Sequence, residues 1–146
     1  MKSLTVLVLA VIAAVSFAAS TTLATAPFKK AFDAKYVKES GDAEFQATYK
    51  KTGCYTCHVK GKKKYVVNAY GWELSQLIEG NAKDRIAAAR KNGVDAKKAE
   101  EGKILEELQA ALKKVEAVKA SSGETYGELF KAHGLPTADG EKSIRE

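Results

Sequence analysis

Both cysteines of the chain and one of its two histidines lie within five residues, Cys54-Tyr55-Thr56-Cys57-His58. A single pair of cysteines cannot build a disulfide-rich scaffold, which excludes the small cross-linked folds. Three-residue spacing also places the two thiols about one helical turn apart, with the histidine next to the second of them. Any fold of this chain must therefore present two thiols and one imidazole together.

This spacing is that of an attachment site for haem c. On one helical turn, Cys54 and Cys57 can reach the two vinyl groups of a haem and bind them as thioethers. His58 then projects its imidazole toward the iron as the proximal ligand. We therefore expect one covalently bound haem c, held by Cys54, Cys57 and His58.

Three other uses of the motif stay open. A redox-active thiol pair is expected in a βαβ context, and no strand pattern precedes Cys54. A zinc site needs a further spaced pair of ligands, and only His58 and His133 are present besides the cysteines. A structural disulfide between residues three apart would constrain almost nothing.

The N-terminus has the pattern of an export signal. Lys2 supplies a positive charge, Leu4–Phe17 is apolar and uncharged, and small residues follow. We expect a signal peptide over residues 1–24, with cleavage somewhere in 18–26, and an exported, periplasmic protein. The alternative is an uncleaved anchor, the one case in which we expect a membrane association.

The rest of the chain shows helical spacing of apolar residues and no period-2 alternation. We predict an all-α fold with one domain over residues 27–136 and a polar, frayed tail over 137–146. The first predicted helix carries Phe28, Phe32 and Tyr36, the next carries Phe45 and Tyr49 and ends at Gly53, and another carries Tyr70, Leu74, Leu77 and Ile78. Further helices are predicted over Ala82–Arg90 and Ala96–Ala120. The last predicted helix begins at a capping box of Thr125 and Glu128.

On these residues the chain resembles the small exported single-haem cytochromes c. Cys54, Cys57 and His58 follow a helix, as in class I cytochromes c, and the downstream Asn68-Ala69-Tyr70-Gly71 resembles a little-characterised group of bacterial monohaem proteins. The resemblance implies a small helical domain wrapped around one covalent haem.

The chain departs from that family at the distal side of the iron. Class I members use a methionine there, and this sequence has none after Met1. His133 is the candidate distal ligand, because imidazole is the best iron ligand that remains. Other interpretations stay open. His133 at a helix C-terminus is stabilised by the helix dipole without any metal, and the distal ligand is then a lysine, another weaker group, water or nothing. Without methionine, we expect a lower reduction potential than in cytochromes with a Met/His pair.

The resemblance implies one-electron transfer between redox partners rather than enzymatic catalysis. The alternative function is binding or sensing of a small gas, NO or CO, at an open or labile distal site. Lys60, Lys62, Lys63 and Lys64 could steer an acidic redox partner, or they form an ordinary solvated loop. A net charge of +6 on 146 residues is modest, and we expect no nucleic-acid partner.

Overall fold

The computed structural model describes residues 26–144, so the predicted signal segment at residues 1–24 lies outside the described residues. Over residues 26–144 the chain is mostly helical, as predicted, with α1 at Ala26–Phe32, α2 at Ala43–Thr52, α3 at Ala69–Gln76, α4 at Ala82–Lys91, α5 at Val94–Val115 and α6 at Tyr126–Lys131. A π-helical turn, Asp33–Val37, prolongs α1, and a 3₁₀ turn, Gly53–Thr56, follows α2. Two short strands, β1 at Val66–Val67 and β2 at Lys142–Ser143, pair antiparallel.

Several of these helices have a polar side chain as their N-cap. The Asp42 carboxylate accepts the backbone N–H of Phe45 at the start of α2, at 2.8 Å. The Asn81 side chain does the same for the first turn of α4. The capping box of Thr125 and Glu128 at the start of α6, predicted from the sequence, is confirmed.

α5 starts two residues before the predicted Ala96 and ends five residues before the predicted Ala120. It ends early because the backbone turns back on itself after Val115. The N–H of Tyr126 donates to the carbonyl of Val118, and the N–H of Ala120 donates to the carbonyl of Glu124. These non-local bonds replace the helical ones that the apolar spacing predicted.

The centre of the fold is filled by aromatic rings. The ring of Phe32 stacks on that of Tyr49, with centroids 5.3 Å apart, and meets Phe130 and Tyr70 edge-on at 5.0 and 6.1 Å. Such contacts between rings stabilise the core in addition to the burial of apolar area. α5 covers the rings with the buried side chains of Leu108, Ala111, Leu112 and Val115.

α4 and α5 form a hairpin joined by one arginine. Arg85 donates from Nε to Glu100 at 2.6 Å and from both terminal nitrogens to Glu107 at 2.8 Å.

No helix in residues 26–144 combines the length and the apolar character that crossing a membrane requires.

The prediction of a frayed tail is wrong for residues 137–144. The Asp139 side chain is only 6% exposed, and its backbone carbonyl accepts the N–H of Ala69 at 2.7 Å. β2 pairs with β1, and Lys142 Nζ lies 4.0 Å from the centre of the Trp72 ring. The polar composition of this segment suggested fraying, but hydrogen bonds and a cation–π contact order it without apolar burial.

Candidate functional site

The motif at residues 54–58 forms a single helical turn. The Cys54 carbonyl accepts the N–H of Cys57 and also the N–H of His58, at 3.1 Å for the latter. Residues three and four apart on such a turn are neighbours. Cys54 therefore lies in the 3₁₀ turn, and Cys57 and His58 follow it, both bonded to the Cys54 carbonyl.

The two thiols are free, and they lie in different surroundings. Cys54 is exposed, whereas Cys57 is partly buried and packs against the aromatic core. Burial, with a smaller effect of Cys54, raises the pKa of the Cys57 thiol to about 12. Cys57 is therefore protonated at neutral pH, unlike the activated thiolates of redox-active pairs.

The His58 imidazole lies against the backbone of the loop that follows the motif. Burial lowers the pKa of His58 below 6.5, although the backbone groups of Lys64 and Val66 act in the opposite direction. The ring is consequently neutral at pH 7. Its Nδ1 atom is buried and has no hydrogen-bond partner.

Asn68 joins the motif to α3. Its Nδ2 donates to the carbonyls of Thr56 at 2.9 Å and Pro136 at 2.6 Å, with a longer contact of 3.3 Å to Tyr55. Its Oδ1 accepts the N–H of Gly71 at 2.8 Å and so caps α3. The side chain is fully buried, with every polar atom bonded.

The next residues of the same segment bring α3 directly against the motif. The Tyr70 ring is fully buried and contacts Tyr126 at 4.8 Å and Phe130 at 5.3 Å between centroids. Gly71 lies against the backbone of Cys57, where a β-carbon would approach the carbonyl oxygen to 2.3 Å. The Asn68–Gly71 segment thus supports the motif from one side.

Three buried side-chain polar atoms in residues 26–144 have no hydrogen-bond partner: Thr56 Oγ1, His58 Nδ1 and Tyr70 Oη. Two of them belong to the motif, and the third is on the helix packed against it. Such atoms are rare in proteins and call for an explanation, such as a group that the polypeptide alone does not supply.

The C-terminal segment binds Ser121 and the start of α6 through a buried carboxylate. Asp139 accepts the Ser121 N–H at 3.0 Å and the Tyr126 hydroxyl proton. Burial would raise the pKa of Asp139, but the hydrogen bonds from Ser121 and Tyr126 outweigh it and hold the pKa below its usual value. Asp139 is therefore ionised at neutral pH.

The His133 ring contacts two side chains of the α2 segment. Its Nδ1 lies 2.9 Å from Asp42 Oδ2, and its ring stacks on Phe45 with centroids 5.2 Å apart. It lines a surface cleft of about 760 Å³ together with Tyr36 and Glu116, a cleft that no residue of 54–58 lines. The partners of the His133 ring are thus Asp42 and Phe45, and these contacts do not test the distal ligation expected from the sequence.

The backbone of His133 has a conformation that is unusual for a residue other than glycine. His133, and not Gly134, has the left-handed conformation that ends the helix, with φ of 58°. The N–H of His133 donates to Phe130 and that of Gly134 to Leu129, as in a Schellman motif. Gly134 also lies close to Leu129: a β-carbon there would stand 2.3 Å from a Leu129 methyl group and 3.2 Å from the Leu129 carbonyl oxygen.

The lysine-rich loop follows His58 directly. Lys60, Lys62, Lys63 and Lys64 are all exposed, and Lys62 pairs with Glu141 at 3.3 Å. The loop is closed by Val59 and Val66, whose backbones are bonded at 3.3 Å, and His58 faces Val67 across a further bridge. The basic run is therefore placed next to the motif.

Within residues 26–144, no three side chains of His, Cys, Asp or Glu converge as a metal site would require. The described residues thus lack the four-ligand set of a structural zinc site. No protein-family model, curated protein or solved structure matches the chain.

Sequence reasoning identified the motif but missed its supports. The sequence marks Asn68 only through the resemblance of Asn68-Ala69-Tyr70-Gly71 to bacterial monohaem proteins. An asparagine just before a helical segment is also an N-cap signal. Asp139 gave no local signal, because its partners Ser121 and Tyr126 are distant in sequence.

Proposed function

We propose that the chain is an exported c-type cytochrome that carries one electron between redox partners. Cys54 and Cys57 would hold a single haem through thioether bonds, and His58 would be its proximal ligand. The haem supplies an iron that cycles between the ferrous and ferric states. The single observation that supports this proposal best is the helical turn of residues 54–58, with both thiols free.

The residues present fit such a group. Addition of each thiol S–H across a vinyl double bond needs no oxidant, and both Cys54 and Cys57 are reduced. The neutral imidazole of His58 is the form that ligates iron. The unpartnered polar atoms of Thr56, His58 and Tyr70 all lie at the motif or on the helix packed against it.

The lysine loop next to the motif supports docking of an acidic redox partner. Lys60, Lys63 and Lys64 are exposed on the loop whose backbone contacts His58. Complementary charge increases the rate of encounter and orients the partners. The haem would thus lie close to a basic surface.

Expression of the full chain with a haem-attachment system tests the proposal. Mass spectrometry under denaturing conditions should show the mass of one haem retained on the polypeptide. Cys54→Ser and Cys57→Ser should each lose one thioether, which the spectrum of the pyridine complex of the reduced haem reports. His133→Ala is the control and should keep the haem. Absence of covalent haem from the parent chain would contradict the proposal.

A second function, binding of a small gas, is favoured by the contacts of His133. The sequence has no methionine after Met1, and His133 is engaged by Asp42 and Phe45. These facts support an open or water-bound distal position. Such an iron would bind CO or NO without first losing a strong ligand.

Addition of CO to the reduced protein separates the two functions. Rapid binding with a change of the visible spectrum supports gas binding, whereas a six-coordinate spectrum that CO does not alter supports electron transfer. Electron-transfer rates with an acidic partner should also fall as salt is added, because screening weakens the lysine contacts.

A further inference from the structure

Asn68 has an unusual position between two helical ends. The last carbonyls of any helical turn have no donors within that turn. In the motif these are the carbonyls of Tyr55, Thr56 and Cys57. The side chain of Asn68 donates to the first two, at 3.3 and 2.9 Å, and its backbone N–H donates to the third, at 3.0 Å.

The same residue also begins α3. Its Oδ1 accepts the Gly71 N–H at 2.8 Å, and its carbonyl accepts the Trp72 N–H at 2.9 Å. The Nδ2 group of Asn68 thus binds carbonyls at the end of the motif turn, and the Oδ1 atom of the same amide caps α3. Its donor side also bonds the carbonyl of Pro136, at 2.6 Å.

No other side chain has the same set of groups at this length. Aspartate has the acceptor but no donor when ionised, and serine has one hydroxyl proton for three carbonyls. Glutamine has both groups but an additional methylene, for which the fully buried site has no room. The hydrogen-bond pattern also fixes which amide atom is nitrogen, since the opposite choice would set an oxygen against three carbonyls.

From this arrangement we infer that Asn68 is a positioning residue, which fixes the orientation of the Cys54–His58 turn relative to α3 and to the segment at Pro136. This inference deepens the proposed function. One consequence rests on that function: Asn68 would hold the turn that presents the His58 imidazole to the haem. The hydrogen bonds themselves concern the polypeptide alone. They can be tested whether or not a haem is attached.

The experiment compares Asn68→Ser with Asn81→Ser in the full chain. Asn81 is also an N-cap, accepts the N–H groups of Lys83 and Asp84, and is exposed. Serine preserves an N-cap acceptor at either position. Only at residue 68 does the change remove donors to the motif. Asn68→Asp, which preserves size, is measured in parallel in case the serine variant folds poorly.

The first readout is hydrogen exchange of the backbone. In Asn68→Ser, exchange in residues 54–58 and 66–71 should become about tenfold faster or more, because buried carbonyls lose their donors. Exchange in residues 104–115 of α5 should stay as in the parent, and Asn81→Ser should leave the motif unchanged. Unchanged exchange at the motif would overturn the inference, as would an equal increase in α5, which would indicate a general loss of stability.

The second readout is the reduction potential of the haem-bearing protein. A change in Asn68→Ser that Asn81→Ser does not show supports the positioning role, because a general loss of stability does not by itself move the potential. The same potential in both variants and the parent would contradict it. If the chain carries no haem, the proposed function fails, while the exchange experiment still decides the role of Asn68.

Discussion

Gly71 lies so close to Cys57 that a β-carbon on residue 71 would stand 2.3 Å from the Cys57 carbonyl oxygen and 3.0 Å from its carbonyl carbon. These are backbone atoms, which cannot move aside as a flexible side chain can. The contact sets the distance between α3 and the motif. It also explains why a glycine follows Tyr70 inside a helix, where glycine is otherwise unfavourable.

Gly71→Ala should therefore destabilise the protein by about 1–3 kcal/mol, because α3 must move away from the motif. Gly102→Ala is the matched control, since Gly102 lies in α5 and a β-carbon there meets nothing within 4 Å. The control should stabilise the protein by about 0.5–1 kcal/mol. Urea unfolding measures both. Equal effects of the two substitutions would refute the close contact.

Tyr126→Phe removes the hydroxyl that donates to Asp139, and we expect a loss of about 1–2 kcal/mol near pH 7. The folded-state pKa of Asp139 lies below its unfolded value of 3.8, so the stability it contributes is present above that value. It is lost as the pH falls through the folded-state pKa. The difference between the parent and Tyr126→Phe should accordingly shrink at acid pH.

Tyr49→Phe is the control for this pH dependence. The Tyr49 hydroxyl donates to the backbone carbonyl of Lys29 at 2.9 Å, and a carbonyl does not titrate. Its loss should cost stability by a similar amount at every pH. Urea unfolding between about pH 7 and pH 3 compares the variants. A constant difference for Tyr126→Phe would show that Asp139 does not stabilise the fold through this bond.

In the haem-bearing protein that we propose, His133→Asn should leave the ferric and ferrous visible spectra unchanged, because the His133 ring is already engaged by Asp42 and Phe45. Asparagine tolerates the left-handed conformation at φ of 58°. His133→Ala should have the same spectra and a stability lower by about 1 kcal/mol. A spectral change in both variants would instead identify His133 as the distal ligand.

Arg85→Lys should loosen α4 from α5, because lysine cannot make the paired hydrogen bonds with Glu107 while also reaching Glu100. We expect a loss of about 1 kcal/mol and faster hydrogen exchange in residues 82–91. Lys103→Ala is the control, because Lys103 is exposed and lies 3.9 Å from Glu100. Exchange in α4 equal to that of the control would argue against this role of Arg85.

Features with local causes were predictable from the sequence. The helix over Ala82–Arg90 and the capping box at Thr125 agree with the structure within a residue or two. Each depends on neighbouring residues in the sequence, as helical caps and apolar spacing do. The turn at residues 54–58 belongs to the same class.

Features with distant causes were not predictable. The early end of α5 depends on bonds from residues 118–120 to residues 124–126. The order of the tail depends on Asp139 meeting Ser121 and Tyr126. Polar residues that pair across the fold have the same local composition as residues that are solvated, so the sequence alone does not separate them.

The carbonyl of Pro136 that Asn68 binds lies 68 positions further along the chain. Ribosomes synthesise the N-terminal part of a chain first. The support of the Cys54–His58 turn is therefore complete only after Pro136 and Asp139 have been synthesised.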